Sequence, residues 1–208
     1  MRYIVTALVC AMLLPMGLMA DPGAKGRKKK KAAVEAVNDK EIQWMTIEQA
    51  EAAMAKKPKK VWIDVYTGWC GWCKVMDRKT FAHPEVIKYI NQNYYAIKLD
   101  AEQQAPITFR GKTYPFRADP NGNGGVNELA IELLQGRMGY PSSVIMDENF
   151  GQAYVFAGYQ NVGATEGILR YFNDGVFKQT TYEQYAKVFT PTWKELPAEA
   201  QPAGPVGH

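Results

Sequence analysis

The sequence contains few residues of the kinds that bind metals or cross-link a chain. Its 208 residues include three cysteines and two histidines. A structural zinc site needs four ligands, but Cys70 and Cys73 form one Cys-x-x-Cys pair without a second beside it. His83 and His208 do not complete a ligand set. We therefore expect no metal site, although a thiol protein that handles metal ions remains an open alternative.

The sequence also lacks a large excess of charge of one sign. Its formal net charge is +4, and much of the positive charge lies in a lysine-rich run over residues 25–31. Such a run is typical of a solvated linker, so we expect no binding to nucleic acid. Hydrophobic residues make up 47% and charged residues 22% of the chain, which are ordinary values for a globular protein. The length predicts one domain with extensions.

The first twenty residues have the pattern of a signal peptide. Arg2 precedes an apolar run over residues 4–19, and Ala20 is a small residue suited to cleavage. Cleavage would remove Cys10 and leave no stable membrane span, so we expect a periplasmic or secreted protein. The lysine-rich run favours the alternative of a membrane-anchored or cytoplasmic form, because positive flanks tend to stay in the cytoplasm.

Composition and periodicity divide the rest of the chain into a linker, a domain and a tail. Residues 21–45 are predicted to be a basic linker, 46–190 a folded domain and 191–208 a disordered tail. Thr46 and Gln49 have the spacing of a helix capping box, and His83-Pro84 predicts a second helix start. The main predicted strands cover residues 61–66, 94–99, 143–146 and 153–156, a hairpin pairs 107–109 with 114–116 across 110–112, and helices cover 126–134, 168–172 and 182–189.

The Cys-x-x-Cys pair follows a predicted buried strand and begins a predicted helix that extends to about Phe81. Free amides and the positive end of a helix stabilise a thiolate at this position. A thiolate on Cys70 would attack a partner's disulfide, and Cys73, one helical turn later, would resolve the mixed disulfide. An inert structural disulfide is the alternative.

These motifs resemble the thioredoxin superfamily, especially exported thioredoxin-like proteins with a WCGWCK centre, over approximately residues 46–172. The resemblance implies an α/β fold, in which a central mixed β-sheet is flanked by α-helices, with an insertion before the cis-proline. Asp64 matches the family's buried acid, which assists proton transfer at the resolving cysteine, and Lys98 matches the lysine near it. Pro141 matches the cis-proline, and Gly158 matches a glycine after the last strand.

The resemblance also implies the site residues and the activity. The candidate catalytic residues are Cys70, Cys73, Asp64 and Lys98, and the candidate substrate-binding residues are Trp69, Gly71, Trp72, Tyr140 and Pro141. The expected enzyme reduces protein disulfides by dithiol–disulfide exchange, without a cofactor beyond its own disulfide. It would act on protein substrates and be recycled by a redox partner. A disulfide oxidase or isomerase of exported proteins and a non-catalytic peptide-binding adaptor are the alternatives. The sequence predicts neither the oligomeric state nor the role of the insertion over residues 101–138.

Overall fold

The computed structural model of the protein describes residues 40–197, which form nine strands and six α-helices within that range. In chain order the elements are β1 (Trp44–Met45), α1 (Ile47–Met54), β2 (Lys60–Tyr66), α2 (Gly71–Met76) with a π-helical turn (Asp77–Phe81), α3 (Pro84–Asn93), β3 (Tyr94–Asp100), β4 (Ile107–Phe109), β5 (Lys112–Tyr114), β6 (Phe116–Ala118), β7 (Gly125–Asn127), α4 (Glu128–Leu133), β8 (Ser142–Met146), β9 (Tyr154–Ala157), α5 (Val162–Asn173), a 3₁₀ turn (Val176–Lys178) and α6 (Tyr182–Val188).

Five strands form the central sheet in the order β1-β3-β2-β8-β9. The first three are mutually parallel, whereas β8 and β9 run antiparallel to their neighbours. In the middle strand β2, residues 61–65 are all buried, as expected for a strand covered on both faces. The predicted α/β fold with a central mixed sheet flanked by helices is therefore confirmed.

Successive side chains of β2 enter two different hydrophobic cores. Val61 and Ile63 pack on the face covered by α1, α4 and the β4–β5 hairpin. Trp62 packs on the other face, against α3, α5 and Met76 of α2. Because strand side chains alternate between faces, Asp64 points to the same face as Trp62. The buried acid thus lies on the side of the sheet that carries the Cys-x-x-Cys helix.

Both predicted helix starts are confirmed. Thr46 accepts a hydrogen bond from the backbone N–H of Gln49, whose side chain accepts one from the Thr46 N–H, so the capping box is complete. His83 caps α3 through a hydrogen bond from the Glu85 N–H, with Pro84 in the first turn. These two caps fix where α1 and α3 begin.

The predicted hairpin is right in its first strand and wrong in its second. Ile107–Phe109 pairs with Lys112–Tyr114, not with residues 114–116. Arg110 and Gly111 both have positive φ angles, 52° and 72°, which is the conformation of a two-residue hairpin turn. Glu51 accepts a hydrogen bond from the Arg110 N–H at 3.0 Å. The shorter turn shifts the second strand two residues towards the N-terminus.

Phe116 belongs instead to a second hairpin, formed by β6 and β7. The helix predicted over residues 126–134 begins at Glu128, because Asn127 ends β7 and caps α4. The Asn127 side chain is buried and donates to the Tyr114 carbonyl oxygen at 3.2 Å, while its backbone N–H donates to Ala101 at 2.7 Å. This one residue ties both hairpins to the end of β3.

The domain extends beyond the boundary predicted at residue 190. The backbone N–H groups of Thr192 and Trp193 donate to the carboxylate of the fully buried Glu166, at 2.7 and 2.8 Å. Glu195 accepts from the Val162 N–H at 3.1 Å. The start of the predicted disordered tail is therefore packed on α5, because its proline-containing sequence is held by a buried carboxylate rather than by apolar periodicity.

The predicted signal peptide, most of the predicted linker and residues 198–208 lie outside the described part of the chain. Between residues 40 and 197, no helix has the length and apolar character needed to cross a membrane.

Candidate functional site

Cys70 and Cys73 form a disulfide at the start of α2. Cys70 is the N-cap residue, and its Sγ accepts a hydrogen bond from the Cys73 N–H at 3.0 Å. The sulfur therefore takes the place that a serine or aspartate oxygen takes at other helix starts. The same N–H and the helix dipole would stabilise a thiolate on Cys70 once the disulfide is reduced.

Exposed residues surround this buried disulfide. Trp69 and Trp72, on either side of Cys70, are 67% and 62% exposed, whereas both cysteines are buried. Gly71, between the cysteines, is also exposed and has open space where a Cβ would lie. The Trp69 ring packs edge-on against Tyr140 with centroids 5.9 Å apart, and the Trp72 ring lies 5.6 Å from that of Tyr159. The tryptophans therefore form an apolar rim around the disulfide.

The bond between Tyr140 and Pro141 is cis, as predicted. Gly158 follows β9 with a φ of 86°, and its N–H donates to the Pro141 carbonyl oxygen at 2.8 Å. A side chain would be strained at this φ, which explains the glycine. Pro141, Gly158 and Tyr159 line one small cavity with Trp72 and Tyr140. The structure thus brings the predicted substrate-binding residues together around the disulfide.

The buried Asp64 and the partly buried Lys98 form an ion pair on neighbouring strands. The Asp64 side chain is 2% exposed, and its Oδ2 lies 2.6 Å from the Lys98 Nζ. The second oxygen, Oδ1, has no hydrogen-bond partner among residues 40–197. Lys98 also contacts the carboxylate of Asp77, which is 45% exposed at the start of the π-helical turn. Lys98 therefore forms ion pairs with two carboxylates, one buried and one that reaches solvent.

Burial raises the pKa of Asp64 from 3.8 to about 6, while Lys98 opposes the rise and Asp77 adds to it. For Lys98, burial lowers the pKa, but the two carboxylates outweigh it and the net direction is upward. Lys98 is also surrounded by the rings of Trp44, Tyr66 and Phe81, whose centroids lie 4.9–5.3 Å from its Nζ. An acid with a pKa of about 6 can exchange protons near neutral pH.

Four residues of the site were not identified from the sequence: Asp77, Glu102, Tyr159 and Trp44. Asp77 lies four residues after Cys73, the spacing of one helical turn, so its place near the site could have been inferred. Glu102 accepts a hydrogen bond from the Trp69 Nε1 at 2.9 Å, but it follows β3 in a turn without a motif. Within residues 40–197, no group of three or more His, Cys, Asp or Glu side chains is arranged to hold a metal ion.

A central strand flanked by parallel and antiparallel neighbours, a helix that begins with Cys-x-x-Cys, and a cis-proline before the next strand define the thioredoxin-like class. The chain therefore has a thioredoxin-like fold that carries a Cys-x-x-Cys disulfide at the start of a helix.

A family model and a curated relative each match part of the chain. The family model Thioredox_DsbH, described as a protein of unknown function (DUF255), matches residues 27–114, which is less than half of the chain. An uncharacterised protein of Caenorhabditis elegans is 31% identical over 86 residues; the match covers 40% of this chain and 11% of the relative. The chain therefore spans about a tenth of the length of that curated relative.

Two solved structures have a similar chain path at low identity. A DsbH oxidoreductase matches with a TM-score of 0.44 and 14% identity, over 67% of this chain and 87% of its own. A putative disulphide-isomerase from Bacteroides thetaiotaomicron matches with a TM-score of 0.44 and 19% identity, over 67% and 94% of the two chains.

Proposed function

We propose that the protein is a protein-disulfide reductase in which Cys70 is the nucleophile and Cys73 the resolving thiol. The observation that supports this best is the buried Asp64, paired with Lys98 on the face of the sheet covered by the Cys-x-x-Cys helix. Burial of a carboxylate lowers the stability of the fold unless its surroundings compensate for it. A role in proton transfer at the resolving cysteine would account for an acid at this position.

The first step is attack by the Cys70 thiolate on a substrate disulfide. A bond forms between Cys70 Sγ and one substrate sulfur, the substrate S–S bond breaks, and the other substrate sulfur leaves as a thiolate. The Cys73 N–H that contacts Cys70 Sγ, together with the helix dipole, stabilises the attacking thiolate before this step.

The second step regenerates the disulfide. The Asp64 carboxylate takes the proton of the Cys73 thiol, the Cys73 sulfur attacks Cys70 Sγ, and the second substrate sulfur leaves as a thiolate. Two electrons pass to the substrate, the Cys70–Cys73 disulfide forms, and the proton held by Asp64 is released to solvent or to the leaving thiolate. A second dithiol protein must then reduce the disulfide before another cycle.

The trapped intermediate tests the roles of the two cysteines. In the reduced Cys73→Ala variant the mixed disulfide with a protein substrate should persist, whereas the Cys70→Ala variant, as the matched control, should form none. Non-reducing electrophoresis followed by mass spectrometry measures both. If instead the Cys70→Ala variant forms the persistent adduct, through Cys73, the two roles are reversed.

The reduction potential tests the direction of the reaction. Thioredoxin lies near roughly −270 mV and a strong oxidant near roughly −120 mV, and we expect this couple near the thioredoxin end. Equilibration with dithiothreitol and glutathione buffers measures it. A value near the strong-oxidant end would favour the oxidase.

Replacement of both cysteines tests the adaptor alternative. If the variant keeps its partner binding and its phenotype, the adaptor is favoured.

We also propose that the protein acts in the periplasm or outside the cell, on exported protein substrates. The support is the signal-peptide pattern of residues 1–20. N-terminal sequencing of the purified mature protein should begin at Asp21. A chain that still begins at Met1 would favour the anchored or cytoplasmic form.

A further inference from the structure

The insertion between β3 and β8 builds a cavity beside the disulfide. The cavity has a volume of about 410 Å³ and is lined by Trp69, Tyr140, Met138 and the segment that contains the β6–β7 hairpin. Trp69 directly precedes Cys70, and Tyr140 directly precedes the cis-proline. Tyr140 also lines the smaller cavity at Pro141, on the Trp72 side. Two recesses therefore flank Tyr140 at the rim of the disulfide.

The charged groups at the insertion cavity are already engaged within the protein. Arg117 pairs with Glu128 at 2.8 Å, and Glu102 accepts the Trp69 Nε1–H at 2.9 Å. Asp119 accepts the N–H of Asn121 in its own loop at 2.9 Å. What the cavity offers to a ligand is therefore mainly the apolar surface of the exposed side chains Trp69 and Met138, together with Ala118, Val126 and Pro120.

The β6–β7 hairpin forms one wall of this cavity, and its two strands pack closely together. A Cβ at Gly125 would lie 2.4 Å from the Arg117 carbonyl oxygen and 2.5 Å from the Phe116 ring. Glycine is thus required for β6 and β7 to approach as they do. Asn127, at the end of β7, fixes the hairpin to the end of β3 through its hydrogen bonds. Close packing and these hydrogen bonds together fix the position of the hairpin relative to β3.

We propose that this cavity, which we term the insertion subsite, binds an apolar side chain of an extended polypeptide close to the cysteine that Cys70 attacks. The inference rests on the proposed function, because a polypeptide disulfide is then the species that must reach the rim between Trp69 and Tyr140. One wall of the subsite comes from residues 117–126, which lie outside the central sheet and its covering helices. The subsite therefore sets which disulfides are reduced, and the cysteines carry out the exchange.

A peptide series tests the proposal. The probes are disulfide-bonded peptides with leucine, alanine or glutamate at each of the three positions on either side of the cysteine, and the measurement is kcat/KM for reduction. Burial of a leucine side chain at a partly open site predicts a preference over alanine of about tenfold at one position. Glutamate should be the poorest residue there, because Arg117, the cation in the cavity lining, is already paired with Glu128.

Two variants locate this preference. Val126→Asp adds a charge to the hairpin wall, and Met138→Ser removes an apolar contact from the opposite side without altering a strand. Both should reduce the leucine-to-alanine ratio to about twofold or less. Val188→Ser, which replaces an exposed apolar residue on α6, is the matched control and should keep the full ratio.

An equal rate for all peptides, or a ratio that neither variant changes, would overturn the insertion subsite while the reductase proposal stands. The wild-type protein is also assayed with dithiobis(nitrobenzoic acid), a small aromatic disulfide without a peptide. If the reduced protein transfers electrons neither to this reagent nor to any peptide, the proposed function itself fails. The two failures are therefore distinguishable.

Discussion

Replacement of Asp64 by asparagine should make the protein more stable at neutral pH. The wild-type carboxyl has a pKa of about 6 in the folded chain and an ordinary value of 3.8. The folded state therefore binds the proton more tightly than the unfolded state does. As the pH rises from about 4 to above 6, the unfolded chain loses this proton first, so the carboxyl increasingly destabilises the fold. Asparagine has a similar shape and does not ionise.

The size of the effect follows from the difference between the two pKa values. This difference is roughly 2 pH units, and each unit corresponds to about 1.4 kcal/mol. The ionised carboxyl therefore lowers the free energy of unfolding by up to about 3 kcal/mol above pH 7. At pH 4 most of this penalty is absent, because the folded carboxyl is protonated. The advantage of Asp64→Asn over the wild type should therefore grow by about 2–3 kcal/mol between pH 4 and pH 8.

Urea denaturation of the oxidised protein at a series of pH values measures this difference, and the free energy of unfolding of each variant is compared at each pH. Glu41→Gln, which removes an exposed acid, is the control and should show no such growth. A constant difference between Asp64→Asn and the wild type over this range would refute the assignment of a raised pKa to Asp64. A difference that grows towards low pH would reverse its sign.

Three further predictions concern the surroundings of the site and the ends of the domain. Asp77→Asn should lower the pKa of Asp64, because the negative charge of Asp77 raises that pKa and because Lys98 would then no longer be shared with Asp77. Carbon NMR of the Asp64 carboxyl group measures the midpoint of its titration. Glu166→Gln should cost about 2–4 kcal/mol in free energy of unfolding, since it replaces a buried carboxylate that accepts from Thr192, Trp193 and Arg170; an equal stability would show that this contact is dispensable. Thr46→Ala should cost about 1 kcal/mol through loss of the α1 cap, with Thr46→Ser as the conservative variant that restores it.

The elements that the sequence predicts well have a local signal that agrees with their environment. The continuous apolar stretch of β2 and the caps at Thr46 and His83 each specify one conformation by themselves. The second strand of the first hairpin does not. Its register depends on Arg110 taking a positive φ, and the contact with Glu51 that accompanies this conformation lies 59 residues away. A signal of this kind cannot be seen in the hairpin's own residues.

For a related reason the sequence does not predict the packing of residues 191–197. Residues 191–197 have no apolar periodicity, so their composition alone predicts disorder. The groups that hold them are a buried carboxylate on α5, the Tyr89 ring, which packs against Trp193, and the His83 ring, which contacts the carbonyl oxygen of Lys194. Each of these contacts is polar or aromatic and joins positions distant in the sequence. Only the fold brings them together.

The site also has features that the sequence predicts and features that only the fold creates. The Cys-x-x-Cys pair is identified by its spacing, because the resolving thiol must lie one helical turn from the nucleophile. The acidity of Asp64, in contrast, depends on how one ammonium group is shared between two carboxylates, and no motif records that the second is Asp77. The same holds for Trp69, whose indole N–H is engaged by Glu102 of the insertion. The motif therefore predicts the exchange chemistry, whereas the residues to which we assign its direction and its choice of substrate are brought to the disulfide only by the fold.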